Sequence, residues 1–78
     1  MTPIQCKMAR TATGMGVRDL AKSADVSPAT VTRFEAGEGI QTRTLASLQT
    51  ALEAAGVIFI PENGDGPGVR LRKRESQR

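Results

Sequence analysis

The sequence contains no histidine, no tryptophan and no tyrosine, and its single cysteine is Cys6. Without histidine it cannot assemble a Ser-His-Asp triad, a Cys-His pair or a mixed Cys/His zinc site. The acidic side chains form no paired arrangement, so no enzyme activity, cofactor or metal is expected. One cysteine cannot make an internal disulfide, and a chain this short in an oxidising compartment would usually carry several, which points to a reducing cytoplasm. The longest apolar run, Val57 to Ile60, is far too short to cross a membrane, and Lys7 and Arg10 interrupt any signal-like start. Two phenylalanines are the only aromatic residues. The core must therefore come from Leu, Ile, Val, Met and Ala, and the stacking residues that single-stranded RNA readers use are missing.

What is present fits one small domain with a short tail: 78 residues carry a net charge of +3. Residues 70 to 78 alone hold five basic residues and one acidic one, or +4, leaving residues 1 to 69 at −1. A near-neutral body with a basic end favours a polyanionic partner.

Helical spacing of Ile4, Met8, Ala12 and Met15, with Pro3 tolerated in the first turn and Gly14 as a stop, predicts a first helix whose core residues include Met8 and Met15. Val17, Leu20, Ala21 and Ala24 predict a second, two-turn helix. Ser27 followed by Pro28 starts a third, because the serine oxygen caps free amides and proline at the first position loses no needed donor; Gly37 closes it after Ala36. Leu45, Leu48, Leu52 and Ala55 form the longest stripe, ended by Gly56. Beyond Gly56, Val57-Ile58-Phe59-Ile60 and the alternating Val69-Arg70-Leu71-Arg72 predict two strands, joined by turn chemistry from Pro61 to Gly68. That Gly-rich loop lacks a Gly-Lys-Ser/Thr ending and no helix follows it, so it is a hairpin turn and not a phosphate cradle.

The second and third helices, joined by Asp25-Val26-Ser27, match a helix-turn-helix, in which the later helix lies in a DNA major groove. Ala21 is small where the helices must approach, Val26, Val31 and Phe34 are apolar where the unit faces inward, and Asp25 stands at a turn position that needs left-handed backbone. The segment from Leu20 to Gly37, with its Leu-Ala, Val-Ser and Glu-x-Gly signatures, resembles the phage repressor and Cro-type helix-turn-helix family, also called the XRE family of bacterial transcriptional regulators. The resemblance spans Ile4 to about Gly56. It implies a mainly α fold, a four-helix lambda-repressor-like domain over residues 1–56, followed by a β-hairpin over 57–73 and a basic tail over 74–78.

The resemblance also implies function: sequence-specific binding of double-stranded DNA by a homodimer that represses or activates a promoter by occupying an inverted repeat, with repression the leading expectation, in a bacterial cytoplasm and on the nucleoid when bound. It places Pro28, Ala29, Thr32 and Arg33 on the base-reading face, with Arg33 able to make a bidentate contact to guanine and Thr32 able to meet a thymine methyl. Ser27 could add a phosphate contact to its capping role, and Val17 stands where the family often holds a phosphate, through backbone amides if not through its side chain. Arg18, Lys22 and Arg43 are candidate phosphate or minor-groove contacts. Arg10 and Glu35 resemble the ion pair that ties the first helix to the end of the third. Cys6 is expected to pack as a small hydrophobe.

The unalternating strand leads to an expectation about self-association. Side chains of Val57, Ile58, Phe59 and Ile60 point to both faces, so one pair covers the helices and the other needs a cover of its own. A second copy supplies it by two-fold symmetry, with Val69 and Leu71 adding to that outer surface. The competing expectation is an antitoxin or adaptor whose C-terminal strands capture another protein.

Overall fold

Helix α1 (Pro3–Thr13) is written in its first four residues. The Thr2 hydroxyl accepts from the Gln5 amide at 3.2 Å, and the Gln5 side-chain oxygen accepts from the Thr2 amide at 2.9 Å, a reciprocal capping box. Gly14, at φ 74°, takes the left-handed conformation that ends the helix. In the computed structural model, which describes residues 1–72, α2 (Val17–Ala24), α3 (Pro28–Glu35) and α4 (Thr42–Ala54) follow, then strands β1 (Val57–Ile60) and β2 (Gly68–Leu71) in one antiparallel hairpin. The fold is mainly α, four helices and a C-terminal hairpin. The expected basic tail at 74–78, with Lys73 before it, lies outside the described residues.

One core joins all of these elements. Cys6 and Ala9 from α1, Leu20, Ala21 and Ala24 from α2, Val31 and Phe34 from α3, Leu48 and Leu52 from α4 and Val57 from β1 are its buried members. The small residues of α1 and α2 let helices approach closely, which a core with so few aromatic side chains requires. The hairpin is part of this unit rather than an appendage after residue 56, because Val57 is 1% exposed inside the helical core.

Two expectations change. The stripe Ile4, Met8 and Ala12 does not face the core: Ile4 is 55% exposed, Ala12 is exposed and Met8 is only half-buried, while Gln5, Cys6 and Ala9 take the inner face. Of the expected stripe only Met15 packs against the core. The cause is the hairpin. Nε2 of Gln5 donates to the carbonyls of Ile60 at 3.1 Å and Gly68 at 2.9 Å, so a polar side chain is fully bonded inside while larger apolar ones turn out.

The second change concerns the hairpin's faces. Val57 pairs with Leu71 and Phe59 with Val69, so these four share one side of the hairpin, where Val57, Phe59 and Val69 pack on the core and Leu71 stays 48% exposed; Ile58 opposite Arg70 and Ile60 opposite Gly68 form the other side. Val69 therefore does not join Ile58 and Ile60 on the outer side, and Val57, Phe59 and Val69 are engaged by this chain's own core, while Leu71 remains exposed at its edge. The second strand ends at Leu71, one residue earlier than expected; Arg72 follows it, its amide bonding the Gly56 carbonyl at 2.6 Å. Among the described residues no helix is long and apolar enough to cross a membrane.

Candidate nucleic-acid interface

The turn between α2 and α3 depends on Asp25, at φ 58° the only non-glycine residue with positive φ among those described. The Val26 amide reaches back to the Ala21 carbonyl at 2.9 Å, closing α2, and Val26 tucks against the core. Ser27 then caps α3: its Oγ accepts from the Thr30 amide at 3.1 Å and lies 2.8 Å from the Thr30 hydroxyl. With Pro28 at the first helical position, the start of α3 is rigid and its chain direction is set.

This start sorts the side chains of α3 by face. Val31 and Phe34 are buried, and Pro28, Ala29, Thr32 and Arg33 are all exposed. Ala29, Thr32 and Arg33 fall at i, i+3 and i+4, so they share one side of the helix. Arg33 also borders a shallow depression with Thr30, Gly39, Ile40, Gln41 and Thr44, between α3 and the start of α4. Thr44 and Gln41 were not singled out from the sequence; their signal is two polar residues three apart at the start of a helix, directly after a glycine-containing loop.

Arg18 and Lys22 are exposed on α2, and Arg43 is exposed at the start of α4, beside Ser23 and Ala24 of α2. Among the described residues no carboxylate lies within salt-bridge distance of Arg18, Lys22, Arg33 or Arg43. Val17 is different. It is half-buried against the core, and at its end of α2 the Gly16 amide is bonded by the Asp19 carboxylate at 2.8 Å. An apolar side chain there found apolar neighbours, and a negative group already sits at that helix start.

The rear of α3 is anchored by Glu35. Arg10 donates from Nε to Oε2 and from Nη2 to Oε1, both at 2.8 Å, with the side chains 15% and 10% exposed. This is the only ion pair among the described residues. Arg10 also donates to the Met15 carbonyl at 3.3 Å, and the Cys6 thiol donates to Oε2 of Glu35 at 3.3 Å. The Arg10 hydrogen bond holds the Glu35 carboxyl below its ordinary range against the opposing effect of burial, and the same bond raises Arg10 above its ordinary value. Burial, then the Glu35 bond, pushes the Cys6 thiol up to about 12. It stays protonated at ordinary pH, so it is a buried donor and not a nucleophile.

Among the described residues no group of three or more His, Cys, Asp or Glu is placed to hold a metal ion. No protein-family model matches the chain, and no curated protein matches it. The site is a short capped helix, presented outward by a tight turn, with cations on the neighbouring elements that have no carboxylate partner among the described residues.

Proposed function

We propose that the chain binds double-stranded DNA in a sequence-specific way, laying the Pro28–Arg33 face of α3 in the major groove. It acts as a homodimeric repressor that covers a promoter at an inverted repeat. The observation that carries this reading is the sorting of α3, with Val31 and Phe34 buried while Pro28, Ala29, Thr32 and Arg33 stand together in solvent. The αL turn at Asp25 and the Ser27 cap support it, because they aim the helix start outward. The resemblance of the Leu20–Gly37 segment to repressor and Cro-type regulators supports it as well.

The roles divide by chemistry. Arg33 reads guanine through two nitrogens, and Thr32 and Ala29 meet a thymine methyl. Arg18, Lys22 and Arg43 neutralise phosphates, with Ser27 at the helix start adding a backbone contact. Val17 contributes packing, since its side chain lies on the core. Binding of the purified chain to duplex DNA, followed by fluorescence anisotropy against single-stranded DNA and duplex RNA as competitors, tests the reading. Preference for duplex DNA supports it; equal affinity for all three removes it.

A further inference from the structure

Helix α1 is apolar on two sides. Its inner side supplies Cys6 and Ala9 to the core, and its outer side carries Ile4, Met8 and Ala12 at i, i+4 and i+8, which makes one continuous ridge. From Ala12 the ridge runs into a groove lined by Met15, Ala54, Ala55 and Leu71, with Arg72 at its edge. Ile4 at 55% and Leu71 at 48% exposure are two of the three large apolar side chains left in solvent among the described residues.

This strip has a charge at each end. The Gln5 bonds to Ile60 and Gly68 fix the hairpin tip beside the Pro3 end of α1, so the exposed acids Glu62 and Asp65 mark that end. The other end, past Ala12 and Leu71, is marked by Arg72, whose Nη2 also donates to the Glu53 carbonyl at 3.0 Å. We propose that a second copy of the chain docks on this strip, the two α1 helices running antiparallel about a two-fold axis near Met8.

Antiparallel docking sets the acidic tip of each copy beside Arg72 of the other, whereas a parallel arrangement would set like charges together. The two-fold also closes the assembly at two copies, since one surface meets itself. Lys7, next to Met8, keeps its charge in water by extending its long stem past the ridge. The outer hairpin face is the poorer candidate because its one exposed large apolar side chain is Ile58, which lies opposite Arg70. The inference rests on the proposed regulator only for its dimeric state, and it assigns that dimer to a different surface from the strands.

Sedimentation equilibrium of the full chain is the test. The unaltered chain is expected to dimerise reversibly. Met8→Glu and Ile4→Lys, both at positions outside the core, should weaken self-association about tenfold or more by setting an unpaired charge against apolar side chains, with the thermal melt unchanged. Asp65→Arg and Arg72→Glu should each weaken the dimer, and the double variant should restore it. A chain that stays monomeric at hundreds of micromolar, a dimer that survives Met8→Glu, or a double charge swap without rescue would overturn the proposal. Binding to a duplex carrying a single half-site separates the two claims: the Met8→Glu chain should bind it like the unaltered one, whether or not the dimer surface is correctly assigned.

Discussion

Arg10 grips the Glu35 carboxylate through two bonds of 2.8 Å, and this pair, with the Cys6 thiol bond to the same carboxylate, links α1 to the last turn of α3. The link matters to the proposed interface because α3 is only eight residues long and could not hold its own direction. Its start is set by the Ser27 cap and its end by Glu35.

Removing either partner should destabilise the fold more than removing both. Arg10→Met leaves a carboxylate near apolar packing, and Glu35→Gln leaves a guanidinium without its counter-charge; each should cost about 2–3 kcal/mol. In a domain of this size that lowers the melting temperature by roughly 10 °C or more. A double-mutant cycle by thermal melt checks it, and additive losses would show that the two do not couple.

The same pair sets an acid limit. Because the Glu35 carboxyl titrates below its ordinary value in the folded chain, its contribution to stability is full above the ordinary carboxylate range and is lost as pH falls through the depressed folded value. The melting temperature should therefore drop between neutral pH and strongly acidic pH, and the Glu35→Gln chain should show a shallower drop. Parallel curves for the two proteins would contradict the assignment.

Cys6 sits under that pair at 0% exposure and is raised to about 12. Its raised value favours the folded state below the ordinary thiol value and that contribution fades as pH climbs through about 12. Iodoacetamide at pH 8 should leave the native chain unmodified and label it only in denaturant. Fast labelling of the native protein, followed by mass spectrometry, would show that the thiol is reachable.

Gln5 is the clamp between the first helix and the hairpin, and Gln5→Leu should leave the Ile60 and Gly68 carbonyls without their shared donor. The expected loss is about 1–3 kcal/mol, with faster hydrogen exchange of the hairpin amides than of those in α2 and α3. Uniform acceleration across the chain would mean that the hairpin and helices open as one unit.

How far the sequence foretold this arrangement depends on how local the cause is. Ser27-Pro28, Gly14 and Asp25 act on their own neighbours, so the helix boundaries around the turn and the left-handed conformation of Asp25 were legible. So was the outward face of α3, since burial of Val31 and Phe34 leaves the intervening positions in solvent. The facing of α1 was not legible, because Gln5 is buried by carbonyls 55 and 63 residues away, and hydropathy alone sends Ile4 and Met8 inward. The hairpin's phase was hidden for a related reason: four consecutive apolar residues carry no alternation, and the burial of Val57 among residues of the four helices decides which side faces in. The thiol's bond to Glu35 joins residues on two helices and leaves no local sign.

Salt should weaken DNA binding steeply if Arg18, Lys22 and Arg43 of each copy neutralise phosphates. A dimer making about six such contacts should give a log–log slope near about −5 for association constant against salt, and Lys22→Ala should make it shallower by about 2. Binding that does not change between low and physiological salt would contradict the electrostatic part of the account.

The central claim is that the exposed face of α3 reads bases. Selection of bound sequences from a random duplex library, run with the unaltered chain and with Arg33→Ala, tests it most directly. The account predicts that the unaltered chain enriches an inverted repeat and that Arg33→Ala loses preference at one guanine per half-site, at a cost of about 1–3 kcal/mol. A library that shows no enriched sequence, or an identical selected site from the two proteins, would contradict it.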